Sequence, residues 1–259
     1  MNSMIHLPSK SWIVRLRTVV SPSVRFFCFP HAGGSASAYR SWLEDLPRKV
    51  ELCGIQFPGR ASRISEPLPL SISDIVEALI ADGYSYFADT PIAIFGHSFG
   101  ALVAFEFAQR LHAMRVGPLH LFVSAQIAPQ LPDPEPPMRQ LCDSAFISEM
   151  SRRYDGIPAE ILREQEMMQL LLPALRADMT LKETYRFTSR PKLNCPLSAF
   201  GGCQDASVTA DGLDAWCVQT SGAFKLRMFP GNHFFVHSER KGLLRAITED
   251  LNLALHGLS

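Results

Sequence analysis

The sequence predicts a doubly wound α/β fold with a mostly parallel sheet, and three observations support this prediction. Short apolar runs rich in β-branched and aromatic residues recur along the 259-residue chain, segments with helical periodicity separate most of them, and one long connection carries only helical patterns. Runs that are apolar throughout are typical of strands buried on both faces, as in a parallel sheet. Alternation of strands with helices predicts right-handed crossovers.

The apolar runs and the periodic segments predict the individual elements in chain order. Strands are predicted at residues 25–29, 52–57, 92–95, 119–124, 197–200 and 224–229. Helices are predicted between and after them, at residues 36–46, 72–86, 101–112, 212–220 and 240–255. One α/β domain often reaches this length, so we predict that residues 1–259 form a single domain.

The connection from Ala128 to Pro191 departs from this alternation, because no strand pattern occurs in it. It opens with the proline-rich stretch 129–137 and continues with helical patterns at 143–154, 159–169 and 170–186. A structureless loop of that length is uncommon in a compact domain. We therefore interpret residues 128–191 as a helical insertion over one edge of the sheet, where a lid would lie.

Composition narrows the class of protein. The chain is 47% hydrophobic and 19% charged, which is typical of a globular protein with a sizeable core. Its 25 basic and 25 acidic residues balance, so it lacks the overall field that attracts proteins to nucleic acid or to acidic membranes. It also has no apolar run long enough to span a bilayer and no signal peptide pattern. The six cysteines are dispersed, without the spacing of a zinc site, and indicate thiols of a reducing compartment, which predicts a cytoplasmic protein.

The segment 91–106 combines an apolar strand, the turn Gly96-His-Ser-Phe-Gly100 and a helix. A serine at such a sharp turn needs neighbours without bulk, and its hydroxyl is raised above the sheet as a nucleophile. The helix that follows directs its N-terminal amides to the same point. The pattern predicts that Ser98 is the nucleophile of an α/β-hydrolase fold, although a serine that merely occupies a glycine-bounded turn is the alternative.

Two backbone amides are expected to form the oxyanion hole in this fold. One belongs to the residue after the nucleophile, here Phe99, and the other comes from the loop after an early strand. The loop at residues 30–35 contains adjacent glycines that allow close backbone approach, and we predict the amide of Ala32 as the second donor, with Gly33 as the nearest alternative. We interpret His31 as a residue that orients this loop rather than as a catalytic one.

The triad in this fold follows the order Ser, Asp or Glu, His, so the base must follow Ser98. His233 follows the last predicted strand directly, whereas His112, His120 and His256 lie in a helix, at the start of a strand and in the C-terminal tail. His237, near the start of the final helix, is the remaining alternative to His233.

The acidic member of the triad is predicted by the same reasoning, from its position just after the preceding strand. The run 197–205 is an apolar strand followed by a glycine turn and Asp205, a carboxylate that would hold the tautomer of the histidine and stabilise its charged form. Asp211 and Asp214 lie further along and are typical of helix-terminal or surface carboxylates. The sequence therefore predicts a Ser98, Asp205, His233 triad.

The motifs together resemble the type II thioesterases that accompany polyketide synthases and nonribosomal peptide synthetases. They cover about residues 24–237 and occur at 29–35, 57–60 with Arg63 and Glu66-Pro67, 96–101 with Phe105-Glu106, 175–178 with Glu183 and Tyr185, 201–205, and 232–235. Two departures are Asn232, where a second glycine is usual, and Phe99, where methionine is common. Neither departure removes a catalytic group, although Asn232 changes the loop that carries His233.

This resemblance implies an α/β-hydrolase with a helical lid that hydrolyses acyl or peptidyl groups from the phosphopantetheine arm of carrier proteins, clearing misprimed or stalled intermediates of antibiotic or siderophore biosynthesis. It implies no cofactor, since the arm belongs to the substrate, and we expect a monomer that binds carrier proteins. Arg60 and Arg63 either pair with carboxylates to fix a loop or contact the phosphate or the carrier. Asp178 either stabilises a lid helix or shapes the acyl channel.

Three alternatives remain open at this stage. The same triad would serve a carboxylesterase or lipase that acts on free small molecules, or an acyltransferase that passes the acyl group to an alcohol or amine. A non-catalytic protein of this fold that binds a ligand or a synthase is a third, although its usual mark is a lost triad member. The acyl group preferred depends on how residues 128–191 pack, which the sequence does not specify.

Overall fold

The fold is described from a computed structural model, which covers residues 11–87, 89–154 and 163–257. A seven-stranded sheet forms its centre, with the strands in the order β1-β3-β2-β4-β5-β6-β7. The strands are β1 (Ile13–Arg15), β2 (Val24–Phe29), β3 (Val50–Ile55), β4 (Ile92–His97), β5 (His120–Ser124), β6 (Leu197–Gly202) and β7 (Phe224–Phe229). The six predicted strands are thus present, with ends that differ by a few residues.

Six strands of the sheet run parallel, and β1 pairs antiparallel with β3. β1 was not predicted from the sequence, because three residues are too few to display a period. Strands β3, β4, β5 and β6 are buried along their entire lengths, as expected for strands of a parallel sheet covered on both faces. The doubly wound, mostly parallel sheet predicted from the sequence is confirmed.

Helices cover both faces of this sheet. They are α1 (Ile72–Gly83), α2 (Phe99–Ala113), α3 (Asp143–Tyr154), α4 (Gln165–Thr184), α5 (Ala210–Asp214), α6 (Phe235–Ser238) and α7 (Arg240–His256). Helices α1 and α2 pack on one face of the sheet, and α7 packs on the other with the 3-10 helix Ala36–Glu44. Each face of the sheet therefore has its own apolar core. The two cores hold the strands in place, and with them the loops at the strand ends.

Three predicted helices differ in type from those observed. The segment predicted at 36–46 is a 3-10 helix, and its buried residues Ala36, Tyr39 and Trp42 recur every third position, which is the period of that helix. The segments predicted at 72–86 and 212–220 each begin as α-helix and end as 3-10 helix. These differences leave the course of the chain unchanged.

The connection between β5 and β6 carries α3 and α4, as predicted for the lid. Helix α3 has the predicted bounds, but the two patterns predicted at 159–169 and 170–186 are wrong as separate helices, because α4 is continuous from Gln165 to Thr184. Residues 159–162 lie outside the described residues. Pro173 lies within α4, yet the helix continues through it, with Ala174 and Leu175 buried.

The lid helices enclose a small apolar cluster of their own, formed by Met138, Phe146, Met150, Tyr154, Met168, Leu175 and Met179. Ala32 and Phe234, which lie in loops at the carboxyl ends of β2 and β7, pack against this cluster. The lid is thereby anchored directly over the edge of the sheet at which parallel strands present their loops. Within the described parts of the chain, no helix is long and apolar enough to cross a membrane.

Candidate active site

Ser98 occupies the sharp turn between β4 and α2, with φ 55° and ψ −125°. This conformation is costly for a residue with a side chain, and such strain is typical of functional positions. The turn is possible because Gly96 and Gly100 lack side chains: a Cβ on Gly96 would lie 2.2 Å from the carbonyl oxygen of Gly100, and one on Gly100 would lie 2.3 Å from that of Phe29. The glycines bring the start of α2 against the end of β2.

The loops after β6 and β7 bring the two predicted partners to Ser98. The Nε2 atom of His233 lies 2.9 Å from the Ser98 hydroxyl oxygen, and its Nδ1 atom lies 2.7 Å from a carboxylate oxygen of Asp205. The three residues come from the carboxyl ends of β4, β6 and β7, which lie at one edge because these strands are parallel. This chain of hydrogen bonds allows Ser98 to transfer its proton to His233 and allows Asp205 to orient the imidazole.

Ser207 supports this series of hydrogen bonds and was not among the site residues predicted from the sequence. Its hydroxyl donates to the second carboxylate oxygen of Asp205 at 2.7 Å, and its backbone N–H donates to the same oxygen at 2.9 Å. The hydroxyl oxygen also lies 3.2 Å from Nδ1 of His233. An aspartate that accepts from the residue two positions on is a common turn, so the Asp-x-Ser pattern could have indicated it.

The carboxyl of Asp205 is held in its ionised form. Burial alone would raise its pKa, but hydrogen bonds from His233 and Ser207 outweigh burial and lower the pKa below its usual value. Asp205 therefore remains an acceptor at neutral pH, which fixes the proton of the neutral imidazole on Nδ1 and leaves Nε2 to accept from Ser98.

The predicted oxyanion donors, the amides of Phe99, the first residue of α2, and of Ala32, have no hydrogen-bond partner within the described part of the chain. The amide of Gly33 instead donates to Asp178 at 2.8 Å. Gly33, the alternative to Ala32, is thus already engaged, and the arrangement favours Phe99 and Ala32 as the pair that would hold an oxyanion.

The remaining histidines near Ser98 do not replace His233. The ring of His237, the alternative base, stacks on Phe234, and the His31 ring packs edge-on against Phe234 with centroids 4.9 Å apart. His97 is buried, hydrogen-bonds the Ser124 hydroxyl, and has its pKa lowered well below the usual value by burial. These rings pack around the triad as neutral groups.

Arg60, Arg63 and Asp178 are all buried, and both arginines pair with carboxylates. Arg63 pairs with Glu66 and donates to the carbonyl of Gln56, so it fixes the loop after β3. Arg60 forms a bidentate pair with Asp178 of α4. Both arginines thus make the carboxylate pairs of the first alternative, and Asp178 pairs outside its own helix.

Tyr154, the last residue of α3, covers the triad. Its ring centroid lies 4.9 Å from that of His233, and only 8% of Ser98 is exposed. The Lys182 ammonium donates to Asp133 at 2.8 Å and to the hydroxyl of Tyr154 at 3.1 Å. Burial would lower the pKa of Lys182, but Tyr154 and Asp133 outweigh it and raise the pKa, so the ammonium remains charged. Residues from three parts of the lid thus hold the cover in place.

A cavity of about 550 Å³ lies between residues 126–137 and the C-terminal half of α4. A narrow cleft adjoins it and is lined by Tyr154, Lys182, Ser207 and His233, so the cavity approaches the triad below the cover. Leu102, Met179 and Phe187 contribute apolar walls, and Lys182 contributes charge. The described ranges contain no group of three or more His, Cys, Asp or Glu side chains arranged to hold a metal ion.

Comparison with known proteins places this arrangement in context. Residues 24–251 match the family described as thioesterase domain. The gramicidin S biosynthesis protein GrsT of Aneurinibacillus migulanus is 38% identical over 245 residues, which cover 94% of this chain and 95% of GrsT. The linear gramicidin dehydrogenase LgrE of Brevibacillus parabrevis is also 38% identical, over 97% of each protein. The solved type II thioesterase BorB of the borrelidin biosynthetic cluster is 34% identical, with a TM-score of 0.84 over 93% of this chain and 97% of BorB.

Proposed function

Because the chain belongs to the thioesterase domain family, we propose that it is a type II thioesterase that hydrolyses acyl or peptidyl thioesters from the phosphopantetheine arm of carrier proteins. The observation that carries this proposal is the chain of hydrogen bonds from Ser98 through His233 to Asp205, beneath a helical lid. Relatives named for gramicidin S and borrelidin biosynthesis support a role in a polyketide or nonribosomal peptide pathway that makes an antibiotic or siderophore, where it clears misprimed or stalled intermediates.

In the proposed reaction, Ser98 attacks the thioester carbonyl while Nε2 of His233 takes its proton. The amides of Phe99 and Ala32 hold the oxyanion of the tetrahedral intermediate. The carbon–sulfur bond then breaks, the pantetheine sulfur leaves with the proton from His233, and the acyl group remains on Ser98 as an ester. Water activated by His233 attacks this ester, releases the free acid and returns the proton to Ser98.

This chemistry uses side chains and amides of the chain together with water, so it requires no metal or organic cofactor. The cavity beside α4 would accommodate the acyl group, since it has apolar walls and shares Tyr154 and Lys182 with the narrow cleft that His233 lines. We also propose that the protein acts in the cytoplasm as a monomer. The buried free thiols of Cys28, Cys53 and Cys195 support a reducing compartment.

The name of one relative, linear gramicidin dehydrogenase, refers to redox chemistry. Dehydrogenases that bind a dinucleotide usually carry G-x-G-x-x-G at the turn from a strand into a helix. The corresponding turn here reads Gly96-His-Ser-Phe-Gly-Ala101 and presents a serine bonded to a histidine. The local structure therefore supports acyl transfer to Ser98.

The decisive experiment presents a panel of acyl-loaded carrier proteins and reads the remaining load by intact mass. We expect wild-type protein to release free acid and the Ser98→Ala variant to lose about 10⁴-fold or more of the turnover while retaining the fold. Matched free esters and candidate alcohol or amine acceptors are tested in parallel. A clear preference for free esters would reject the thioesterase in favour of an esterase, and an ester or amide product would indicate an acyltransferase. Undiminished function of Ser98→Ala would indicate a binding protein.

A further inference from the structure

The ion pair of Arg60 and Asp178 joins the loop after β3 to the middle of α4, across 118 positions of sequence. Nη2 of Arg60 lies 2.9 Å from one carboxylate oxygen of Asp178, and Nη1 bonds the other. The two side chains are 6% and 0% exposed. A pair so completely removed from water is costly unless its remaining hydrogen bonds are made.

The other partner of Asp178 is the loop predicted to hold the oxyanion. The carboxylate oxygen bonded by Nη1 of Arg60 also accepts from the amide of Gly33, at 2.8 Å. Gly33 has a φ of +73°, and a Cβ on it would lie 3.2 Å from Leu171 and from Leu175 of α4. The lid helix therefore both packs on the oxyanion loop and accepts a hydrogen bond from it, one residue beyond Ala32.

Arg60 is also linked, through the ring of Phe57, to Phe99, the other predicted oxyanion residue. Its guanidinium lies 5.5 Å from the ring centroid of Phe57, and that ring packs edge-on against Phe99 with centroids 5.8 Å apart. Nε of Arg60 donates to the carbonyl of Pro58 at 3.1 Å, which fixes the arginine against its own loop. One buried ion pair thus connects the surroundings of both predicted donors.

We propose that Arg60 and Asp178 are positioning residues that lock the Ala32 loop to helix α4, so that the oxyanion hole is assembled only while the lid helix is docked. This inference rests on the proposed hydrolase function of Ser98. Loss of Asp178 leaves the Gly33 amide without its acceptor. The adjoining peptide then rotates away from the position in which the Ala32 amide can donate to the oxyanion. An oxyanion donor displaced in this way acts far less effectively on the developing charge.

The test separates this role from simple support of the fold. Asp178→Leu and Arg60→Met each leave one buried charge without its partner and lower Tm. The double variant replaces the whole pair by apolar side chains of similar size, a change that often restores stability. It does not restore an acceptor for the Gly33 amide. We therefore expect the double variant to recover Tm but to remain about a hundredfold below wild type in kcat on a p-nitrophenyl ester, with KM little changed.

Affinity for a boronic acid provides a second readout, because its tetrahedral adduct on Ser98 places an oxygen in the oxyanion hole. Active sites are counted by titration with a fluorophosphonate, so that only folded enzyme is compared. We expect boronate affinity to fall in parallel with kcat across these variants. Asp178→Asn, which keeps an acceptor oxygen, and Arg60→Lys, which keeps the charge, should be intermediate, and they extend the test if the double variant does not fold.

Arg63→Met is the matched control, since Arg63 is equally buried in the same loop but pairs with Glu66 rather than with the lid. It should lower Tm and leave kcat per titrated site unchanged. The positioning role would be overturned if the double variant recovered both its Tm and the wild-type kcat. It would also be overturned if Asp178→Asn and Arg60→Lys bound the boronic acid as tightly as wild type. Ser98→Ala distinguishes the two proposals: if it keeps esterase activity the proposed function fails, and if it is inactive while the pair variants match wild type only the positioning role fails.

Discussion

Gly100 is a residue at which the structure tolerates no side chain. A Cβ there would lie 2.3 Å from the carbonyl oxygen of Phe29 and 2.4 Å from that of Pro30, both at the start of the oxyanion loop. Gly100→Ala should force α2 and this loop apart, destabilise the protein by about 3 kcal/mol and lower kcat about a hundredfold. Urea unfolding and ester hydrolysis measure the two effects, and wild-type kcat in the variant would contradict the expectation.

Gly242 in α7 provides the matched control for that substitution. A Cβ on it would meet the Phe229 ring at 3.6 Å, an ordinary contact distance. Since alanine is the better helix former, Gly242→Ala should raise the free energy of unfolding by about 0.5 kcal/mol and leave kcat unchanged.

Ser207 offers a test of the support given to Asp205. Ser207→Ala removes the hydroxyl that donates to the carboxylate at 2.7 Å. A hydrogen bond to a charged group contributes about 1.5 kcal/mol, so kcat should fall about tenfold. Ester hydrolysis measures this change. An unchanged kcat would contradict the expectation, and Ser221→Ala, away from the triad, serves as control.

The approach of Ser98, Asp205 and His233 to one another was predictable at this scale, but the contacts that support them were not. Each of the three lies just beyond a strand pattern, and parallel strands bring such ends together without further information. Arg60 and Asp178 carry no such signal, because their contact joins segments 118 residues apart and depends on how α4 lies on the loop. The sequence therefore left their roles open.

At the scale of elements, the lid depends on a few polar contacts. Lys182 of α4 bonds Asp133 and Tyr154, and Tyr154 covers His233. Lys182→Met keeps the bulk of the side chain and removes these bonds, so the covered state should lose about 1.5 kcal/mol relative to an open one. We expect a fluorophosphonate to label Ser98 about tenfold faster than in wild type. Unchanged or slower labelling would show that this contact does not hold the cover, and Lys192→Met, on the exposed loop after α4, is the control.

Helix α4 shows where sequence patterns fail for an element. Two helices were predicted, at 159–169 and 170–186, whereas one helix runs continuously through Pro173. Leu175 and Met179 of this helix pack in the lid cluster, and Leu181 packs in the core beside α2. Tertiary packing outweighs the local cost of the proline here. Strand β1 failed for a different reason, since its three residues are selected only by pairing with β3.

For the whole molecule, buried histidines predict how stability depends on pH. Burial lowers the pKa of His120 to about 4 and that of His97 well below its usual value of 6.5. Both take a proton more readily in the unfolded chain, so the unfolded state binds more protons as the pH falls below about 6.5. Their stabilisation is complete above that pH, and the free energy of unfolding should fall towards pH 4 by about 1.4 kcal/mol per pH unit for each histidine.

Urea unfolding at a series of pH values between 7.5 and 4.5 measures this dependence. His120→Gln keeps a group that can bond the Ser198 hydroxyl, 3.0 Å from Nε2 of His120, but removes one titrating site. The slope of the free energy of unfolding against pH should be smaller in the variant by the contribution of one proton, about 1.4 kcal/mol per pH unit. Equal slopes in the variant and the wild type would show that His120 does not contribute.

The two edge strands of the sheet, β1 and β7, affect whether the protein associates with its own copies. β1 spans only three residues and ends on Arg15, while β7 carries Lys225 and Arg227, which pair with Asp250 of α7. Short or cationic edge strands are poor templates for the addition of another strand. We expect sedimentation at high concentration to find single chains, and dimers built through strand addition would contradict this. A sheet closed to self-association in this way resists aggregation, which suits prolonged storage and production at high yield.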